Sequence, residues 1–111
     1  MSEFRIEKNN LFIGSNKIEF SYPVENIKIC GNYYIVLIDA PTVNNVYAVN
    51  SQAQIVWQIQ DVAEVYSAVN DVSYVGIRIT ELEQIIVTNF NGVTYTVDPV
   101  NGKIIGSGAT K

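Results

Sequence analysis

No histidine occurs in this chain, and its one cysteine, Cys30, stands between Ile29 and Gly31 at the end of an alternating run. The missing histidine removes the commonest general base, the usual nucleophile–base triads and most zinc sites. With no basic cluster nearby to lower its pKa, Cys30 reads as a buried or half-buried thiol rather than a nucleophile. The carboxylates remain. Glu81 and Glu83 would share a face if "ELE" were extended, and Asp98 lies beyond the Asn91-Gly92 pair. Such sets can act as acid and base or hold Ca²⁺. However, "DPVNG" lacks the alternating oxygen ligands of a calcium loop, and capping of turns accounts for these acids. The only glycine-rich run, "GSG", has no helix after it to bind a phosphate. We assign no catalytic, cofactor-binding or metal-binding residue, and we expect neither a cofactor nor an enzyme.

Binding is left as the chemistry to look for, and aromatic residues carry it. Trp57 and Tyr66 are the two candidates. Trp57 reads either as a buried anchor in the core or as an exposed platform for a sugar or peptide. Tyr33, Tyr34, Tyr47, Tyr66 and Tyr95 could line aromatic pockets, although at strand spacing such residues are more often half-buried in a sheet.

Composition narrows the partners. Hydrophobic residues make up 48% of the chain and charged residues only 16%, with a net charge of −4. Soluble domains usually carry about 25% charge, so part of this surface is a candidate for cover by a protein partner or by another copy. The seven Lys and Arg are scattered singly, so no basic stripe follows a phosphate backbone or an anionic membrane. The first ten residues hold no apolar signal core, and no run approaches the length of a membrane span. A cytoplasmic, single-domain protein spanning 1–111 is expected.

The elements that must position these side chains are strands. "EFRIEK", "LFIG" and "KIEFSY" alternate apolar and polar residues between Asn, Ser and Gly turns, giving N-terminal hairpins over 3–22. "YYIVLID" is apolar on both parities, as a strand covered on both faces would be. Asn91-Gly92 predicts a hairpin with a type I′ turn. One segment differs: in "DVAEVYSAVND", Val62, Val65, Tyr66 and Val69 fall at helical spacing behind Asp61, a possible N-cap with Glu64 three residues on. It reads as a short helix or helical turn, or as an irregular strand.

The chain also says one thing twice. Tyr47, Val49 and Asn50 align with Tyr95, Val97 and Asp98; after one inserted residue, Gln54, Ile55 and Val56 align with Lys103, Ile104 and Ile105. Two units of four antiparallel strands in meander order follow, over 25–59 and 72–106. Four strands per repeat is the make-up of a propeller blade. The expected class is all-β, with two blade-like meanders, or alternatively a single β-sandwich or barrel, and at most one short helix.

"VYAVNSQAQIVWQI" resembles the third and fourth strands of a PQQ-like (quinoprotein-type) β-propeller repeat, and "TYTVDPVNGKIIGS" is similar. The likeness rests on Tyr47, Ala48, Val49 and Asn50 before the turn and on Gln54 to Trp57 after it, with Asp98 and Gly102 to Ile105 in the second unit. Two positions depart from the pattern: Ala53 replaces the turn glycine in the first unit, and Gly106 stands where the second should have its tryptophan. No cofactor-holding position of the PQQ-dependent dehydrogenases can be matched, so the resemblance implies architecture only. Its nearer implication is the non-catalytic propellers that scaffold protein assembly. We therefore expect a protein-interaction or structural module that binds a protein or itself as a homo-oligomer, without nucleic acid or membrane. The alternative is a lectin-like carbohydrate binder.

Overall fold

The computed structural model describes residues 3–66 and 72–109. Its strands form three antiparallel sheets. The first holds β1 (Phe4–Glu7), β2 (Asn10–Ile13) and β3 (Asn16–Glu19). The second holds β4 (Val24–Cys30), β5 (Tyr33–Ile38), β6 (Val46–Val49) and β7 (Ile55–Gln58). The third holds β8 (Tyr74–Ile79), β9 (Ile85–Asn89), β10 (Val93–Val97) and β11 (Ile104–Ala109). Both four-stranded sheets are simple meanders. The class is all-β, as expected, and among the described residues no sheet closes into a barrel.

The middle sheet is packed on both faces. Tyr34, Val36 and Ile38 on β5 join Leu11, Ile13 and Phe20 in a core under the first sheet. Ile35 and Leu37, on the opposite parity, join Ile77, Ile85, Val87 and Tyr95 in a core against the third sheet. The double apolar parity of "YYIVLI" thus follows from its place in the middle layer.

The two meanders repeat each other to the level of a bulge. Ala48 pairs with Trp57 and Val49 with Ile55, skipping Val56. Thr96 pairs with Gly106 and Val97 with Ile104, skipping Ile105. In the turns, Asn50 N–H donates to Gln54 O at 3.0 Å and Asp98 N–H to Lys103 O at 2.8 Å. The extra residue of the second turn sits inside that closed loop, where the sequence alignment puts it.

Two local expectations are corrected and an open one is decided. The hairpin at Asn91-Gly92 is not type I′, because only Gly92 has positive φ (84°). Asn89 Oδ1 instead accepts from the N–H groups of Asn91 and Val93, at 2.9 and 3.0 Å, and fixes a three-residue loop. Glu81 and Glu83 do not share an extended face: they lie in a turn closed by Glu83 N–H donating to Thr80 O, with Glu83 at φ 58°. The middle segment contributes a single 3-10 turn, Val62–Glu64, capped by Asp61 Oδ1, which accepts from Ala63 N–H at 3.0 Å. Val69 and the rest of 67–71 lie outside the described residues.

Candidate functional site

The chemically richest part of the molecule is the seam between the two meanders. Trp57, the third residue of β7, is 7% exposed. Its indole Nε1–H donates to Pro99 O at 2.9 Å. The ring lies flat over Gly102, so closely that a Cβ there would stand 2.5 Å from Cε3. Gly102 also has φ +77°, so the turn needs glycine for its backbone and for its neighbour. Beside it, Gln60 N–H donates to Gly102 O at 3.0 Å, and Gln60 Oε1 accepts from Ile104 N–H at 3.0 Å. Trp57 is therefore occupied as an anchor of one meander on the other.

Asn45 holds the other end of the seam, and nothing in the sequence singled it out. It is 2% exposed. Its Nδ2 donates to Ile38 O and Tyr74 O, and its Oδ1 accepts from Tyr74 N–H, all at 2.9 Å. One amide side chain thus ties β5 to the first residue of β8. Its only sequence signal was the pair Asn44-Asn45 after a proline loop, which reads equally well as a turn.

Tyr66, the second candidate, is half-buried. Its ring centroid lies 5.9 Å from that of Tyr95, which in turn meets Tyr74 edge-on at 6.3 Å. Burial pushes the Tyr95 hydroxyl above its ordinary pKa, with Tyr66 adding to it. Tyr74 is pushed up further, mainly by burial and also by Tyr95 and Asp61. Of the other tyrosines, Tyr34 is fully buried, while Tyr33 and Tyr47 are half-buried against the two cores. The aromatic residues are spread over two cores rather than gathered in a pocket.

A shallow cleft of about 500 Å³ opens alongside the seam, lined by Gln58, Gln60, Asp61, Glu64, Asn101 and Lys103. Much of its polarity is already engaged. Gln58 Nε2 donates to Asn44 O and Tyr47 Oη, Asn101 Oδ1 accepts from Lys103 N–H, and Asp61 caps the 3-10 turn. Neither Trp57 nor Tyr66 lines it. Among the described residues no group of three or more Cys, Asp or Glu is placed to hold a metal. Cys30 is buried, and its Sγ–H donates to Glu83 O at 3.3 Å; burial, then the Glu83 charge, raise its pKa, the opposite of activation. Asp98 Oδ1 accepts from Val100 N–H at 2.9 Å, within its own turn.

The outermost faces of the stack differ sharply. On the three-stranded sheet, Arg5, Phe12 and Lys17 share one row and Glu7, Asn10 and Glu19 the next. Arg5 lies over the Phe12 ring, 4.3 Å from its centroid, and pairs with Glu7. On the last sheet the rows are Arg78, Ile86, Thr96, Gly106 and Gly76, Thr88, Thr94, Gly108, with Arg78 as their one charge. These are the register equivalents of positions that the middle sheet buries: Thr88 stands for Leu37, Thr94 for Val46, Thr96 for Ala48 and Gly106 for Trp57.

A family model described as a domain of unknown function (DUF7957) matches residues 1–109. The chain belongs to the DUF7957 family. No curated protein matches it. Among solved structures it is similar to BamB from Moraxella catarrhalis, a PQQ-like β-propeller protein, with 14% identity and a TM-score of 0.57. The match covers 84% of this chain and 26% of BamB, so a DUF7957 chain spans about a quarter of that protein's length. At that identity the likeness concerns the fold: propeller-type sheets packed face to face. No helix among the described residues is long and apolar enough to cross a membrane.

Proposed function

We propose that this protein is a non-enzymatic interaction module, built from two propeller-type meanders and capped at one end by a three-stranded sheet, that engages another protein or its own copy. The observation that carries this is the unequal finish of the stack. A sheet face meant only for solvent is normally charged, as the first sheet's outer face is. The last sheet's outer face carries Thr88, Thr94, Thr96, Ile86 and glycines with Arg78 as the one charge of its two rows, the depletion of charge that the core of a protein interface shows. The likeness to a propeller, in which such faces are covered by further sheets, supports the same reading.

The competing reading is a carbohydrate site in the seam cleft. Its polar lining favours it, but sugar sites usually add an exposed ring, and Trp57 is committed to Pro99 and Gly102. A photo-crosslinking amino acid placed at Thr94, and separately at Lys17, separates the two in an extract of the native cells. The interaction module gives a protein adduct at Thr94 and none at Lys17. Equal labelling at both positions, or no adduct together with specific binding on a glycan array, would remove it.

A further inference from the structure

The dipeptide Asn-Gly occurs twice, as Asn91-Gly92 and Asn101-Gly102, in the loops just before and just after β10. Asparagine is chemically labile, most of all before glycine, whose missing Cβ leaves its own nitrogen free to attack. In that reaction the glycine nitrogen attacks the asparagine Cγ. An N–Cγ bond forms, the Cγ–Nδ2 bond breaks, and the glycine amide proton leaves with the Nδ2 group as ammonia. Water then opens the succinimide ring at either carbonyl, giving aspartate or isoaspartate. The peptide group between the two residues must turn and the carboxamide must swing over it, so anything that pins the dipeptide slows the step.

The fold treats the two pairs differently. Asn91 is exposed, and its carboxamide makes no hydrogen bond among the described residues. Gly92 faces open space, since a Cβ there would meet nothing within 4 Å. Its N–H donates to Asn89 O at 2.9 Å, and Asn89 Oδ1 accepts from Asn91 and Val93, so this part of the loop is closed on itself. Its opening disturbs neither core, to which neither residue belongs.

Asn101-Gly102 is held at each group that must move. Asn101 Oδ1 accepts from Lys103 N–H at 3.0 Å. Gly102 N–H donates to Asp98 O at 2.8 Å, and Gly102 O accepts from Gln60 N–H at 3.0 Å. The glycine is buried beneath the Trp57 indole, which is itself tied to Pro99 O.

We propose that Asn91 is a modification site of the folded protein, converted by spontaneous deamidation to a carboxylate, and that Asn101 is a second, latent site kept closed by Trp57. Conversion of Asn91 takes the net charge from −4 to −5. Isoaspartate at 101 would lengthen the backbone by one methylene beneath the indole, where even a Cβ on Gly102 has no room. The site with the costlier product is thus the one that reacts only when the seam opens.

The native protein is aged in mildly alkaline buffer and its peptides are read by mass spectrometry for replacement of the side-chain amide by a carboxyl group. Asn91 should convert steadily and Asn101 about tenfold more slowly or less, whereas in denaturing urea the two rates should be similar. Trp57→Phe, which loses the bond to Pro99 O, should speed conversion of Asn101 several-fold and leave Asn91 at its native rate. Gln60→Ala, which removes the neighbouring bond to Ile104 N–H, is a milder variant with the same expectation. Unfolding speeds both sites, so an unchanged Asn91 rate shows within the same sample that a variant is folded. Equal rates in the native protein would overturn the latency of Asn101. An Asn91 that converts only in urea would overturn the open site, and an Asn101 rate unchanged in both folded variants would overturn the role of Trp57.

Discussion

The Trp57 indole rests on the bare Cα of Gly102 and donates its N–H to Pro99 O at 2.9 Å, so one side chain from the first meander is clamped by the turn of the second. The corresponding turn of the first meander has Ala53 at φ +61°, buried in the core that also holds Phe20, with Ile18 packed against it. Where a tryptophan must lie, the turn residue is glycine; where none lies, a methyl fills the space despite its strained backbone.

That difference predicts opposite tolerances at equivalent positions. Gly102→Ala should cost about 3 kcal/mol, combining overpacking against the indole with a left-handed alanine. Ala53→Gly should change stability by less than about 1 kcal/mol, because relief of strain offsets the lost methyl. Urea unfolding of the two variants measures both.

Asn45 makes three hydrogen bonds to backbone at 2% exposure. Asn45→Ala should cost about 2–4 kcal/mol, since the buried Tyr74 N–H and C=O lose this partner, whereas Ile38 O keeps the Ala40 N–H. Asn45→Asp sets a carboxyl against two carbonyl oxygens, which raises its folded pKa above the unfolded value. Its stability is then greatest below the unfolded carboxyl pKa of about 4 and is lost as pH rises through the folded value. Thermal melts from acid to neutral pH should show that trend, which the parent protein lacks at this site.

At alkaline pH the buried hydroxyls and the thiol govern stability. Tyr74, Tyr95 and Cys30 all have folded pKa values raised above the ordinary 10.0 for tyrosine and 9.0 for cysteine. Groups raised in this way give stability that is fully present below the unfolded pKa and is lost as pH climbs through the folded one. The melting temperature should therefore hold up to about pH 9 and fall beyond it, with Tyr74→Phe removing part of the fall.

The sequence carried the sheets because their causes are local. Period-two alternation, the double parity of "YYIVLI" and the repeated Tyr-x-Val-Asn/Asp turns each follow from a few neighbouring residues; the bulges at Val56 and Ile105, which the repeat alignment matches to each other, appear only in the strand register. What it did not carry depends on distant partners. Asn45 looks like a turn residue until Tyr74 is brought beside it, and the Asn91-Gly92 loop takes its form from the Asn89 side chain. The extended reading of Glu81 and Glu83 failed because Thr80 closes a tight turn over them. The outer-face pattern of Thr88, Thr94, Thr96 and Gly106 gains meaning only once the register sets it beside Leu37, Val46, Ala48 and Trp57.

Trp57 is the one tryptophan of the chain, so its fluorescence reports directly on whether that ring joins two sheets or serves a ligand. Emission and acrylamide quenching should be measured on the native protein, alone and with a panel of soluble glycans. If Trp57 is the inter-meander anchor, emission is blue-shifted, shielded from quencher, unmoved by sugar, and red-shifted only on unfolding. A solvent-like emission that quenches freely and responds to a glycan would contradict the account and return the function to the seam.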